Sequence, residues 1–220
     1  MSAPLALVYK GPAAHPSACS DAVASLLRSS SYGFDVRYVG PHGELPLNAK
    51  TVGNAVIYAQ PGGGELTPAY RRMRKHRSAI RNYVALGGNY LGFCLGGYLA
   101  GATPGFGLLP GDTDQYVASR GATTRTMDDT MVEVIWRGRR RQMFFQDGPI
   151  FLLDDGAAGT VLARYPNDGI AAVVTSFGKG RVAVAGPHPE ATADWYADSG
   201  LPNEPNFDLG NDLIETVMTP

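Results

Sequence analysis

The stretch that decides the fold runs Tyr90-Leu91-Gly92-Phe93-Cys94-Leu95-Gly96-Gly97-Tyr98-Leu99-Ala100. Tyr90–Phe93 reads as a short buried strand and Leu95–Ala100 as the start of a helix, which puts Cys94 where strand hands over to helix. Glycines two residues to either side, Gly92 and Gly96, permit the sharp turn that lifts a single side chain above the edge of a sheet. A cysteine at that point meets the positive end of the helix dipole, which favours the thiolate. The amide of Leu95 then becomes an oxyanion donor. A buried structural cysteine on a Gly-rich strand end would show the same letters, so the pattern needs partners elsewhere in the chain.

Working outward, Leu5–Tyr9 reads as a buried strand followed by the loop Gly11–Ser17. Asp21–Arg28 carries apolar residues at helical spacing, with Ser20 or Asp21 as its N-cap. Phe34–Val39 alternates like a strand, and Ala55–Ala59 is another buried one. Thr67-Pro68 predicts a helix start that continues to about Leu86, where Gly87-Gly88 stops it. This alternation predicts an α/β fold, a mostly parallel sheet with helices on both faces. After Asp112 the texture changes. Met131–Trp136 and Gln142–Phe145 read as a β-hairpin joined by Arg137–Arg141. Val161–Tyr165, Ile170–Thr175 and Arg181–Ala185 are further short strands separated by Gly-containing turns, and Asn206–Val217 is a last helix.

Composition narrows the function classes. Two hundred and twenty residues suit one domain, with 44% hydrophobic and 18% charged residues, enough to bury a core. A formal charge of −1 lacks the basic excess of a nucleic-acid binder. Two cysteines are too few for a disulfide framework. No apolar run is long enough to span a membrane and no signal peptide is visible, so a cytoplasmic protein is expected. No clustered His, Cys or carboxylate spacing suggests a metal. The basic residues between Ala69 and Tyr83 read as the solvated face of a helix packed on the sheet, not as a docking patch. Nothing specifies an oligomeric state.

Two segments supply partners for Cys94. Gly186-Pro187-His188-Pro189-Glu190 follows the strand Arg181–Ala185. In extended chain, residues two apart point to one side, so Glu190 can orient His188 as the base a cysteine nucleophile needs. His15, His42 and His76 lie in loop or charged-helix contexts and fit that role less well. Gln60-Pro61-Gly62-Gly63-Gly64-Glu65 follows the strand Ala55–Ala59; its glycines expose backbone N–H groups above the carboxyl end of a sheet, where ligands of open α/β folds bind. One of those amides can complete an oxyanion hole. Cys19, in the stretch after the first strand, is weighed as a resolving thiol and set below a packed or loop cysteine.

Taken together, Pro-Gly-Gly after one strand, G-x-C-x-G at a turn and His-Pro-Glu after a late strand resemble the class I glutamine amidotransferases, and within them the biotin-protein-ligase N-terminal-like family. The matching stretches are LALVYKGP, IYAQPGGGEL, GFCLGGYLAG and VLARYPNDGIAAVVTSFGKGRVAVAGPHPEA, spanning about Leu5 to Ala191. The resemblance implies a flavodoxin-like sheet and a triad of Cys94 as nucleophile, His188 as base and Glu190 as its orienter, with Gly63 and Leu95 as oxyanion amides. It further implies an amide-type small-molecule substrate, an acyl-thioester intermediate, and no metal or organic cofactor. Asp147 stands where the family tends to have an Asn-Gly-rich turn, so it is expected to face the pocket and alter its charge. Arg137–Arg141 and Tyr165–Asp168 superficially resemble ligase ATP-site and biotin-site motifs, but they lie in hairpin-like segments and read as accidents. No synthetase or ligase module is visible, so an ammonia-transferring role requires a separate partner.

Two other readings stay open. One is a deglycase- or peptidase-like cysteine enzyme on the same fold, disfavoured because no acidic residue occurs between Leu5 and Ser20. The other is a non-catalytic binding or regulatory module that keeps the turn as a relic.

Overall fold

The computed structural model describes residues 3–219. The first half alternates strand and helix: β1 (Leu5–Tyr9), α1 (Ala18–Ser29), β2 (Asp35–Val39), α2 (Ala49–Val52), β3 (Ile57–Gln60), α3 (Leu66–Met73), a 3₁₀ turn (Arg74–His76), α4 (Arg77–Ala85), β4 (Asn89–Phe93) and α5 (Leu95–Ala100). The second half is mostly strand: β5 (Gly111–Gln115), β6 (Thr130–Trp136), β7 (Arg139–Phe145), β8 (Pro149–Leu153), β9 (Gly159–Arg164), β10 (Ile170–Phe177) and β11 (Gly180–Ala185), then α6 (Ala193–Asp198) and α7 (Phe207–Met218). One sheet runs β2-β1-β3-β4-β11-β10-β9-β6-β7, with β8 branching from β10 to hold β5. From β2 through β11 every pairing is parallel, and from β11 outward every pairing is antiparallel.

The central strands read as unbroken apolar runs because both faces are covered. On β1, Ala6 and Val8 join the core under α1 and α7, with Leu27, Leu213 and Ile214. Leu7 and Tyr9 join the opposite core under α3, α4 and α5, with Met73, Ile80 and Leu99. Each such side chain removed from water contributes about 1.5–3 kcal/mol, so the alternation within five residues is enough to fasten helices to both sides.

Several local expectations are corrected. The α1 helix starts at Ala18, not Asp21: the hydroxyl of Ser20 instead donates to the Tyr9 carbonyl at 2.9 Å, and Asp21 pairs with Lys10 at 2.7 Å. The long helix from Thr67 is two helices, α3 beginning one residue earlier with Glu65 at its cap, broken at Arg74–His76 where no side chain is buried against the sheet. Arg77 and Arg81 are drawn inward, donating to the carbonyls of Gly105 (3.1 Å) and Phe106 (2.6 Å), while Arg71, Arg72, Arg74 and Lys75 are exposed. The hairpin turn is only Arg137-Gly138, both at positive φ, so its arms are longer than expected. Arg137 and Arg141, read as an accidental motif, pair with Asp212 and Asp208 and tie the hairpin to α7. The short α2 and α6 and the strands β5 and β8 gave no sequence signal.

Candidate functional site

Cys94 occupies the turn between β4 and α5 with φ 46° and ψ −107°, a region that costs a residue with a β-carbon about 1–3 kcal/mol. Three contacts hold it there. Its amide donates to the Ala185 carbonyl on β11 at 2.9 Å, and its carbonyl accepts from Tyr98 at 3.0 Å. Gly96 gives the third: a β-carbon there would collide with the Gln60 carbonyl at the end of β3, so only glycine lets α5 sit this low on the sheet. As the first helical residue, Leu95 has an amide with no carbonyl one turn before it to accept its proton.

His188 leaves the end of β11 and is 3% exposed. Its amide donates to Phe144 on β7 at 2.9 Å, and its ring meets the Phe144 and Trp195 rings edge-on at centroid distances of 5.8 and 5.3 Å. Nδ1 lies 2.8 Å from Oε1 of Glu190, which is fully buried and whose Oε2 finds no other partner. His188 and Glu190 therefore meet side by side, as their two-residue spacing predicts. Burial opposes a positive imidazole, but the facing charges of Glu190 and Cys94 outweigh it and hold the His188 pKa up to about 10. The directed hydrogen bond of the Cys94 thiol runs elsewhere, to the Gln146 carbonyl at 3.3 Å.

The Gly-rich turn closes the other side. A β-carbon on Gly62 would lie 2.9 Å from Cε1 of His188 and 3.3 Å from Cβ of Cys94, so the turn packs directly on both. Gly63 and Gly64 take φ of 92° and 85°, and among the described residues the amides of Gly62, Gly63 and Gly64 make no backbone hydrogen bond. Beneath Gly63 lies Cys19, whose sulfur would be 3.0 Å from an added β-carbon. Burial first, then the neighbouring Glu190 and Cys94 charges, push the Cys19 thiol up to about 12. It is a packed, protonated thiol and both cysteines are free, which disfavours the resolving role.

A cleft of about 540 Å³ opens above Cys94, Leu95, Gly63 and Gly64. Its far wall comes from the antiparallel half: Gln115 on β5, Met127 in the loop before β6, and Gln146-Asp147 between β7 and β8. Asp147 faces the cleft as expected, at φ 45°, with both carboxylate oxygens accepting from Nε2 of Gln115 at 3.1 and 2.9 Å. Burial raises its pKa and the Gln115 bond partly offsets this. Tyr98, also in the wall, donates its hydroxyl to the Asp147 carbonyl at 3.1 Å. Gln115, Met127 and Tyr98 carry no sequence signal, because none sits in a motif; they reach the site only through the branch strands and the first turn of α5.

Comparison with known proteins agrees with this architecture. The family model for the N-terminal part of biotin-protein ligase matches residues 5–120, just over half of the chain. No curated protein sequence matches. Among solved structures, the fold is similar to a glutamine amidotransferase at 17% identity and a TM-score of 0.66, covering 98% of this chain and 99% of that one. It is also similar to a GMP synthase glutamine-amidotransferase-like protein of Thermoplasma acidophilum, at 11% identity and TM-score 0.60, covering 99% and 94%. A GH42 β-galactosidase contains the same fold, at 15% identity and TM-score 0.56, over 98% of this chain but only 30% of that one. The α/β, class I amidotransferase-like fold is thereby established, and these identities speak to fold alone. Among the described residues no helix is long and apolar enough to cross a membrane.

Proposed function

This chain belongs to the biotin-protein ligase N-terminal family, and from that premise and the cleft just described we propose that it is a cysteine-dependent enzyme acting on amide-type carbon–nitrogen bonds. The observation that carries this reading is the buried His188–Glu190 pair, 2.8 Å apart, turned toward a cysteine held at positive φ in the floor of a cleft. In the first step His188 takes the Cys94 proton and Sγ attacks the substrate carbonyl carbon; the C=O electron pair moves onto oxygen. The oxyanion sits against the amides of Leu95 and Gly63, each such donor being worth about 3 kcal/mol of barrier. The intermediate collapses by breaking the C–N bond, the amine leaving with the proton from His188 and Cys94 retaining the acyl group as a thioester. Water, giving its proton to His188, then attacks the thioester carbonyl and releases acid and thiol. Glu190 orients the ring through Nδ1, leaving Nε2 for the sulfur. Where the amine is ammonia, an acceptor enzyme of synthetase type is the partner that would receive it.

The Cys94–Gln146 contact favours a second reading, a non-catalytic module in which the thiol stays a neutral donor to that carbonyl. Iodoacetamide labelling read by intact mass separates them. The enzyme reading expects Cys94 to be labelled at pH 6 at least tenfold faster than a small free thiol, and His188→Ala to abolish the difference. It also expects an acyl adduct on Cys94 with some member of a carboxamide panel. Labelling no faster than the free thiol and indifferent to His188 would overturn it and leave the module.

A further inference from the structure

The walls of the Cys94 cleft are electrically one-sided. Two carboxylates line it, Asp147 and Glu65, and no Lys, Arg or His does. Among the described residues neither carboxylate has a cationic partner. The one ring that could offset them, His188, lies behind the sulfur with its Nδ1 already committed to Glu190. The Gln146 carbonyl, 3.3 Å from Sγ, adds a further negative dipole at the reacting atom. Basic side chains do occur nearby, Lys10, His15, His42 and Arg72, but they line a separate cleft of about 430 Å³ across the Gly64-Glu65 ridge.

Asp147 is also held for display. Its backbone is in the left-handed region, its carbonyl is fixed by Tyr98, and both carboxylate oxygens rest on one neutral amide, that of Gln115. A neutral donor steadies a carboxylate without cancelling its charge, so the charge remains for a ligand. From this we infer that Asp147 is a specificity-determining residue: the substrates of this cleft carry a cationic group, a primary ammonium or guanidinium, a few atoms from the amide carbonyl, and anionic amides are rejected. The inference rests on the reading of Cys94 as the reacting group but concerns only what the cleft admits.

The test is charge-selective modification of Cys94, with Cys94→Ala as the labelling control. Rates with 2-aminoethyl, methyl and 2-sulfonatoethyl methanethiosulfonate are measured by intact mass and normalised to 2-mercaptoethanol. The expected cation-to-anion ratio exceeds that of the free thiol by roughly tenfold or more, the effect of a nearby unit charge in a part-buried site. Asp147→Asn, which keeps an oxygen for Gln115, should bring the ratio back toward that of the free thiol. In a second arm, 4-aminobutanamide should protect Cys94 from the methyl reagent and succinamate, of the same length with the opposite charge, should not. A ratio equal to the free thiol's, one unmoved by Asp147→Asn, or equal protection by the two amides would overturn the inference. The proposed enzyme reading fails separately, when the methyl reagent reacts no faster with the native protein than with His188→Ala.

Discussion

The two halves of the sheet meet at β11 and divide the site between them. The parallel half, β2 through β11, contributes Cys94, His188, Glu190 and the Gly-rich turn, all at one carboxyl edge and nearly all buried. The antiparallel half contributes Gln115, Met127, Gln146 and Asp147, from three separate connections, and these form the wall a ligand meets. Parallel strands end together because crossover helices return the chain to the same starting edge, so reactive groups placed after β3, β4 and β11 converge without further help. Antiparallel strands end at alternate edges, so only chosen turns reach the cleft. The first arrangement suits chemistry that must be held still, and the second suits recognition that can vary by changing one turn.

Cys94→Ser should break the division most sharply, lowering any amide-cleaving rate by about 10⁴-fold or more while the thermal midpoint stays near that of the native protein, since the reacting sulfur belongs to the parallel half alone. Turnover retained in that variant would move the chemistry elsewhere. Gly62→Ala is expected next, at about 100-fold, because its β-carbon would push on the His188 ring and a displacement of about 1 Å is enough. Steady-state kinetics with unchanged circular dichroism would check it.

On the antiparallel side, Asp212→Ala should cost stability and no chemistry. It removes the acceptor of the Trp136 indole N–H at 2.7 Å and the partner of Arg137, about 1–3 kcal/mol by denaturant titration. A catalytic loss larger than the stability loss would mean the halves are coupled. Cys94→Gly should raise stability by about 1 kcal/mol by relieving the positive φ, whereas a loss would show that packing of the thiol outweighs the strain. The smallest effect is on pH dependence. Because the His188 pKa is raised on folding, the stability it contributes is complete below about pH 6.5 and is withdrawn as pH rises toward 10. Chemical-denaturation midpoints should therefore fall from pH 7 to 9 in the native protein and fall less in His188→Asn.

Legibility differed in the same way. The strands β1, β3, β4 and β11 could be read because burial on both faces leaves continuous apolar runs between glycines, and the three motifs could be joined because each follows such a run. The β5 strand, Gly111-Asp112-Thr113-Asp114-Gln115, has no large apolar residue and is a strand only because β8 offers it a partner. Gln115, which holds Asp147, was invisible for that reason. Asp147 itself was legible only as a departure from a family pattern, and its exposure to the cleft depends on a backbone conformation no local preference specifies.

By itself the sequence determined the α/β class, the turn that raises Cys94, and the pairing of His188 with Glu190, because these follow from short-range rules: periodicity, glycine freedom and the two-residue repeat of extended chain. Only the tertiary structure decided that Cys19 is a packed thiol under Gly63, that the Cys94 thiol leans on the Gln146 carbonyl, and that the cleft wall is acidic. Those features arise between segments far apart in the chain, where the neighbour that sets a side chain's charge and exposure is chosen by packing and not by adjacent residues.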